Sequence, residues 1–590
     1  IQDIIETVLN QSNYTEVYQA FSEYRLKRAA SREVFEVKQQ HKFVKAMERL
    51  ILSAKKDTKQ NPLETLTSFG KIISSEFAKA YLIDAKYVRS HEEGSIYIHN
   101  LDEYVLGTTK SSVIDLSKIK PRDNYMPYLT NLLVNIKKEQ YGEHTIASLD
   151  YELVPYFVDT YKKYLIEELN REFKEAGILE YIDFDSIEDE IELLDTIEID
   201  FMQFKKYIKS KKVEEIWKNS MDQALRNTKV WVKKELFLCL MSLEHNDTAI
   251  GSNNYAISIG TNSSTIGRML NQIILEIYKK ESFRKVYLIF KVKEGINYKT
   301  GPLTDLLEQV IECIHENKNI RLSFLDATFN QTESGCEVEY LPSGKRILDN
   351  INPDKRVSKG RILLATTSIN LVRIALATKE KEAFYTELAV AIEHTKNELL
   401  QAFESVASKY KDDFKYLFQE NIFLDSEKLD TNGKIRKILR SGTLDINITG
   451  LYEASLYLEK EASSSLALEI LTFIRKKADE ISQNERLNFV VSETLNEKVR
   501  SYFLAIDKSI YGSIPGVTDK ERYDTFSDAF LADQDHRLER TGEYQKLTNG
   551  GHLLKIKLAK NVSLKKIQEI IQDAHQNDIG YLDMKVRDGT

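Results

Sequence analysis

The chain has 590 residues, 42% hydrophobic and 29% charged, with a net charge of −8, the balance of a soluble globular protein larger than one simple core requires. That charge excludes an electrostatic nucleic-acid footprint, and no apolar run reaches the roughly 18 residues of a membrane span. Three cysteines, Cys239, Cys313 and Cys336, cannot form a closed disulfide framework or a C-x-x-C pair, which points to a reducing cytoplasm and excludes a four-cysteine zinc site built from this chain alone.

No signal peptide is visible, and the first residue is Ile1 rather than Met, so preceding sequence is expected. Residues 1–90 read as helical, with Ile4, Ile5, Val8, Leu9, Val17, Phe21 and Tyr24 fitting one apolar face. EEGSIYIHNLDEY breaks that pattern at Gly94 and alternates at Ile96 and Ile98, a short strand. Residues 125–175 return to helical spacing. An acidic block and then a basic one over 184–215 read as a solvated helical excursion. From 285 onward strands and helices alternate: KVYLIFKV, IRLSFLDATF and GRILLATTSI as strands, TDLLEQVIECIHE and the long run from VRIAL to LLQAFE as helices. That order favours an α/β architecture. No repeat or low-complexity linker interrupts it.

Cys336 lies in NQTESGCEVEYLPSGK, a polar loop between two apolar strands, with Gly335 before it. Loops held by rigid strands are where function concentrates, although a surface thiol is what the loop composition alone favours. Cys313 shares a helix face with Leu306 and Val310, and Cys239 sits in WVKKELFLCLMSLEH. Both read as core residues, since free cysteine packs as a small hydrophobe. Asn370 follows the strand GRILLATTSI, where it either reaches a site or caps the helix beginning LVRIAL. His99, in the early strand, either faces a site or is a structural histidine.

Several segments, in order along nearly the whole chain, resemble the class III anaerobic, glycyl-radical ribonucleotide reductases. NYTEVYQAFSEYRLKR is similar to the last helix of an ATP-cone. GSIYIHNLDEY resembles the family's early strand, and QYGEHTIASLDYELVPYF the helix region after it. FKVKEGIN, SFLDATFN, TTSINLVRIAL, SGTLDINITGLYEA, IPGVTDKERYDTF and YQKLTNGGHLLKI match further motifs, and GCEVEY sits where the family has Gly-Cys followed by basic residues. The resemblance implies a ten-stranded α/β barrel with an inner cysteine loop. It implies the end of an ATP-cone at 1–35, the barrel at 36–574 with its helical excursion near 180–225, and the start of a carboxy-terminal zinc and glycyl-radical segment at 575–590. It also implies Cys336 as the thiyl cysteine, with Asn370 and His99 as further site candidates. A glycyl radical installed by an S-adenosylmethionine iron–sulfur activase would oxidise Cys336, which then takes the 3′ hydrogen of a ribonucleoside triphosphate. ATP and deoxynucleotide effectors, a homodimer and a cytoplasmic location complete what it implies. No nucleic acid, membrane or bound metal is expected for this stretch, the family's zinc belonging to the tail.

Three departures bear on activity. Ser111, in TTKSSVIDLSK, holds the place of a second cysteine, and serine cannot relay thiyl chemistry. The chain stops near where the tail begins, and Gly589, in VRDGT, has the wrong spacing for the radical glycine and reads as a turn glycine, so this stretch alone is expected to be inactive. Signature positions differ at Asn100, Glu143 and His144, and Glu337 and Glu339 replace basic residues after the cysteine. Two carboxylates there disfavour nearby anions unless neutralised. The alternatives are a non-catalytic paralogue that binds nucleotides or a partner, or a different glycyl-radical enzyme such as a lyase.

Overall fold

The computed structural model describes residues 62–119, 124–208, 213–246, 251–252, 254–460, 464–527 and 537–586, with helical pieces at 8–9, 11 and 17–23. Apart from those pieces, the stretch assigned to an ATP-cone lies outside the described residues, and so does Gly589. The chain forms two compact units, residues 1–107 and 108–590.

In the first unit the helix Pro62–Phe77 passes through a π-helical turn, Ala78–Leu82, into the helix Ala85–Glu92, the short strand β1 (Ile96–Ile98) and a 3-10 turn, Tyr104–Leu106. Ala78, Ile83, Tyr87, Ile96, Ile98 and Leu101 close a small core. The buried His91 accepts the Ile98 N–H at Nδ1, 3.2 Å away. Burial, with Lys79 nearby, pushes that imidazole down to about 4, so it stays neutral and structural.

The second unit is built on ten strands: β2 (Ser111–Ile114), β3 (His144–Ile146), β4 (Tyr255–Ile259), β5 (Val286–Val292), β6 (Ile320–Phe324), β9 (Ile362–Asn370), β10 (Thr443–Thr449), β11 (Asn488–Glu493), β12 (Leu554–Leu558) and β13 (Tyr581–Val586). Their order is β11-β10-β9-β2-β3-β4-β5-β6-β13-β12. Neighbours are parallel except at β9–β2 and β6–β13. Strands β2 to β6 therefore run one way and β9 to β13 the other. The two ends of this order are linked: Ser492 of β11 forms an isolated parallel bridge with Gly551, just before β12. There the Gly550 N–H donates to the Val491 carbonyl at 2.8 Å.

Side chains alternate across a strand, and here the alternation separates two environments. On β5, Val286, Leu288, Phe290 and Val292 join the main apolar core, as do Tyr255, Ile257 and Ile259 of β4 and Leu444, Ile446 and Ile448 of β10. Helices such as Thr265–Lys280, Lys381–Ala407 and Ser464–Glu485 bury their apolar faces in that same core. The opposite parity holds Ala256, Ser258, Ile289, Lys291, Arg321, Asp445, Asn447, Ser492, Tyr581 and Asp583, which the register places on one shared face. A register shift between Leu363 and Ala365 keeps Thr366, Ser368 and Asn370 on this face, opposite Asp445, Asn447 and Thr449.

That second face is covered by the segment between β6 and β9. It contains a small hairpin, β7 (Glu339–Tyr340) with β8 (Arg346–Ile347). Leu325, Val338, Tyr340 and Leu348 pack on Ala256, Ile289 and Tyr581, while Leu341 and Ile347 pack on Val113, Ala147 and Leu363.

The structure corrects several sequence expectations. IRLSFLDATF is strand only to Phe324, after which Thr328–Asn330 is a 3-10 turn. The run expected as one helix is two, Leu371–Thr378 and Lys381–Ala407. Lys379 breaks it in the left-handed region (φ 64°), its N–H returning to the Ala375 carbonyl as a helix C-terminus requires. Strand β3 interrupts residues 125–175. The excursion is not solvated throughout: Ile187, Ile191, Phe204 and Trp217 are buried in the main core.

Candidate active site

Cys336 is half-buried, short of the buried position expected for it. It stands at a boundary within its segment. Residues 333–335 before it are exposed, and Gly335 takes a left-handed φ of 71°. Glu337 is partly buried, and Val338, Glu339 and Tyr340 are fully buried. Cys239 and Cys313 are core residues, as their helical spacing suggests, and burial pushes each thiol up to about 11.

The two glutamates after the cysteine share one cation, Lys291, whose side chain is 1% exposed. Its Nζ lies 2.8 Å from Glu337 Oε2 and 2.6 Å from Glu339 Oε1, and donates to Ser148 Oγ at 2.9 Å. Ser258 donates to Glu339 Oε1 at 2.9 Å, and the Ser148 N–H donates to Ser258 Oγ at 2.7 Å. Burial opposes the ammonium, yet the two carboxylates raise it above the usual lysine range. Burial likewise opposes ionisation of Glu337, but Lys291 holds it below the usual carboxylate range. Glu339 is raised by burial despite the same partner.

The rest of the covering segment is held in the same manner. Lys345 pairs with Asp445 at 2.6 Å and reaches Ser492, whose hydroxyl donates to Asp445 Oδ1 at 2.5 Å. Arg346 donates to Asn330 Oδ1 at 2.9 Å and Asp349 Oδ2 at 3.0 Å, and to the carbonyl of Phe329. Arg321 pairs with Asp583 at 3.3 Å, donates to the Pro342 carbonyl and lies 4.0 Å over the Tyr287 ring. Tyr340 stacks on Tyr581 at 4.2 Å, and Thr145 donates to the Tyr340 carbonyl at 2.7 Å. A buried charge survives only when paired and hydrogen-bonded, and these charges meet that condition.

Ser111 is buried on β2, its hydroxyl accepting the Glu143 N–H at 2.9 Å. Glu143 in turn accepts the Ser343 N–H of the covering segment at 2.6 Å, so Ser111 is one residue removed from that segment. His144 points away from it: its Nδ1 is 2.9 Å from Ser112 Oγ, and burial lowers it well below the usual imidazole range.

Asn370 is a helix cap. Its Oδ1 accepts the Arg373 N–H at 3.2 Å while its amide donates to Asp507 at 2.8 Å. Asp507 also takes Arg373 Nε at 2.5 Å and the Tyr523 hydroxyl at 2.6 Å. Asn370 is thus on the loop-facing side of the sheet, with its amide engaged by Asp507. His99 belongs to the first unit, where its ring meets Tyr97 edge-on at 5.1 Å.

Sequence reading missed Lys291, Arg321, Lys345, Arg346 and Asp445. A signal was present: VYLIFKV, IRLSF, TLDINIT and YLDMKV each carry a charge at one parity of an apolar strand. Further polar groups share that face. The hydroxyls of Ser323, Thr366 and Thr449 are buried and have no hydrogen-bond partner among the described residues.

A family model described as anaerobic ribonucleoside-triphosphate reductase matches residues 55–587. The anaerobic ribonucleoside-triphosphate reductase of Haemophilus influenzae is 23% identical over 573 residues, covering 89% of this chain and 72% of its own length. A solved anaerobic ribonucleotide reductase superposes with a TM-score of 0.61 at 13% identity, covering 92% of this chain and 83% of that one. The Thermotoga maritima anaerobic ribonucleotide reductase in complex with dATP and CTP gives 0.57 at 11% identity, covering 92% and 86%.

Proposed function

The chain belongs to the anaerobic ribonucleoside-triphosphate reductase family, and from that premise we propose that it reduces ribonucleoside triphosphates with Cys336 as the thiyl residue. The observation that carries this reading is the place of Cys336 in the structure. It is the one cysteine outside the apolar core, on a segment laid across the polar face of the sheet and pinned there by buried ion pairs. Closure of the ten strands into a barrel around that segment is part of the proposal, supported by the Ser492–Gly551 bridge between the two ends of the sheet. A closed interior keeps a radical from solvent, and fixed geometry supplies the near-attack contribution of roughly 7–11 kcal/mol.

In the proposed reaction a glycyl radical, installed by a radical S-adenosylmethionine activase, takes the hydrogen from the Cys336 thiol. The thiyl would remove the 3′ hydrogen of the ribose, the 2′ hydroxyl would take a proton and depart as water, an external reductant would supply two electrons and a proton for the new hydrogen at C2′, and the Cys336 thiol would return its hydrogen to C3′. Ser111 on the loop-facing side means that no cysteine at that position takes part in the reduction. The hydroxyls of Ser323, Thr366 and Thr449 on the same face suit a ribose. The dATP and CTP in the Thermotoga maritima complex suggest the ligand classes, an effector deoxynucleotide and a ribonucleotide substrate. We place the protein in the cytoplasm, as a homodimer.

The test is anaerobic turnover of the natural full-length protein with its activase. Cys336→Ser should abolish deoxynucleotide formation while the glycyl radical stays visible by electron paramagnetic resonance, because the serine O–H bond is too strong to pass the hole on. Deoxynucleotide formation by Cys336→Ser would overturn the assignment. A parent protein that forms none, but binds nucleotides, would point to the paralogue.

A further inference from the structure

We propose that Lys291 is a positioning residue for Cys336, clamping the cysteine segment to the sheet through Glu337 and Glu339. The inference rests on the reading of Cys336 as the reactive thiol only for why its position matters; the clamp itself is argued from geometry.

The nearest anchors lie after the cysteine. Before it, the closest tie to the sheet is six residues away at Asn330, which donates to the Phe324 carbonyl at 2.9 Å and accepts from Tyr340 and Arg346; between there and Cys336 the hydrogen bonds are local: Gly335 N–H to the Thr332 carbonyl at 3.1 Å, Ser334 Oγ to Thr332 Oγ1 at 3.3 Å, and Thr332 Oγ1 to the Cys336 carbonyl at 3.1 Å. None of these ties residues 332–336 to a strand. After Cys336 the anchoring is immediate. Glu337 and Glu339 converge on the single ammonium of Lys291, and Val338 between them is buried against Ala256 and Ile289. The anchors come from three places: Lys291 from β5, Ser258 from β4, and Ser148 from the turn after β3. Glu337 adjoins Cys336 while Asn330 stands six residues before it, so the geometry of Cys336 is set chiefly by this junction.

The clamp also answers a difficulty in the sequence. Two carboxylates beside a reactive thiol would repel an anionic nucleotide, and leaving them unpaired and buried is costly. One buried lysine engaging both reduces the net charge and converts the pair into two anchors. An apolar residue at 291 would keep the strand but lose both effects.

The experiment reads thiol access in the whole chain. Cys239 and Cys313 are 4% and 1% exposed and burial raises both thiols to about 11, so iodoacetamide at neutral pH labels Cys336, as peptide mass mapping checks. Lys291→Met should raise the labelling rate about tenfold, because local opening governs access. Lys291→Met combined with Glu337→Gln and Glu339→Gln removes the charge imbalance without restoring the clamp, and its rate should stay raised. A triple variant that returns to the parent rate would show that Lys291 only balances charge, and the proposal fails. Should Lys291→Met not fold, Ser258→Ala removes one anchor of Glu339 at constant charge and should raise labelling about threefold by the same opening argument; an unchanged rate overturns the clamp. Turnover is not needed for any arm. Loss of turnover in Cys336→Ser with labelling unaltered by these variants sinks the clamp and leaves the reductase reading, and raised labelling without turnover in the parent does the reverse.

Discussion

The two faces of the sheet solve opposite problems. One is lined by residues such as Leu288, Phe290, Ile446 and Ile448 and covered by helices, and its stability comes from area removed from water. The other carries Lys291, Arg321, Asp445 and Asp583 under a segment with two small apolar clusters, and its order comes from paired charges. Apolar packing tolerates many sequences of similar volume. Charge pairs in a dry interior require fixed partners, and they hold a short polar segment in one geometry. The apolar face carries the architecture, and the charged face carries the segment on which the proposed site lies.

The largest effect should come from breaking a pair on the polar face. Arg346→Met takes one donor from Asp349, one from Asn330 and one from the Phe329 carbonyl, leaving Arg356 on Asp349 and the Tyr340 hydroxyl on Asn330, and should cost about 3–5 kcal/mol in unfolding measurements. A cost below about 1 kcal/mol would mean the ion pairs do not hold the segment. On the apolar face Leu288→Ala should cost about 3 kcal/mol through the cavity it leaves, yet leave Cys336 labelling at the parent rate; a change in labelling would show the faces are coupled.

A smaller effect carries a pH signature. Glu398, in the helix Lys381–Ala407, is buried behind β9 and accepts the Thr367 hydroxyl. Burial raises its carboxyl to about 7. A carboxyl raised in the fold binds its proton more tightly folded than unfolded. Its contribution is therefore whole below the ordinary carboxylate value and is lost as pH rises through about 7. Glu398→Gln should be close to neutral at pH 4.5 and more stable than the parent by about 2 kcal/mol at pH 8. Equal effects at both pH values would refute the buried ionisation. The smallest change is Thr449→Val, on the polar face. The Oγ1 it removes has no partner among the described residues, so stability should stay within about 0.5 kcal/mol, while KM for the ribonucleotide should rise if that hydroxyl meets the ribose.

Much of the apolar face was legible beforehand. KVYLIFKV, GRILLATTSI and TDLLEQVIECIHE became β5, β9 and the helix Thr304–His315 because their periodicity is strong and their partners are apolar. Strands β2 and β3 were not legible: SSVI and HTI are buried on both faces and do not alternate, whereas the equally short IYI of β1 does. Asn370 could be read two ways; its Oδ1 takes the Arg373 N–H as a cap, while its amide is turned to Asp507. The acidic pair after Cys336 looked like an obstacle because its partner stands 46 residues earlier in the chain.

The sequence by itself determined which segments alternate, which helices are amphipathic, which two cysteines are core and which family the chain resembles, because these rest on local periodicity and on motif order. Only the tertiary structure decided that Lys291 faces Glu337 and Glu339, that Lys345 meets Asp445, and that Ser111 lies on the loop-facing side. Those facts depend on strand register, where a slip of one residue moves every side chain to the opposite face, and on a segment that finds its charges on strands distant in sequence.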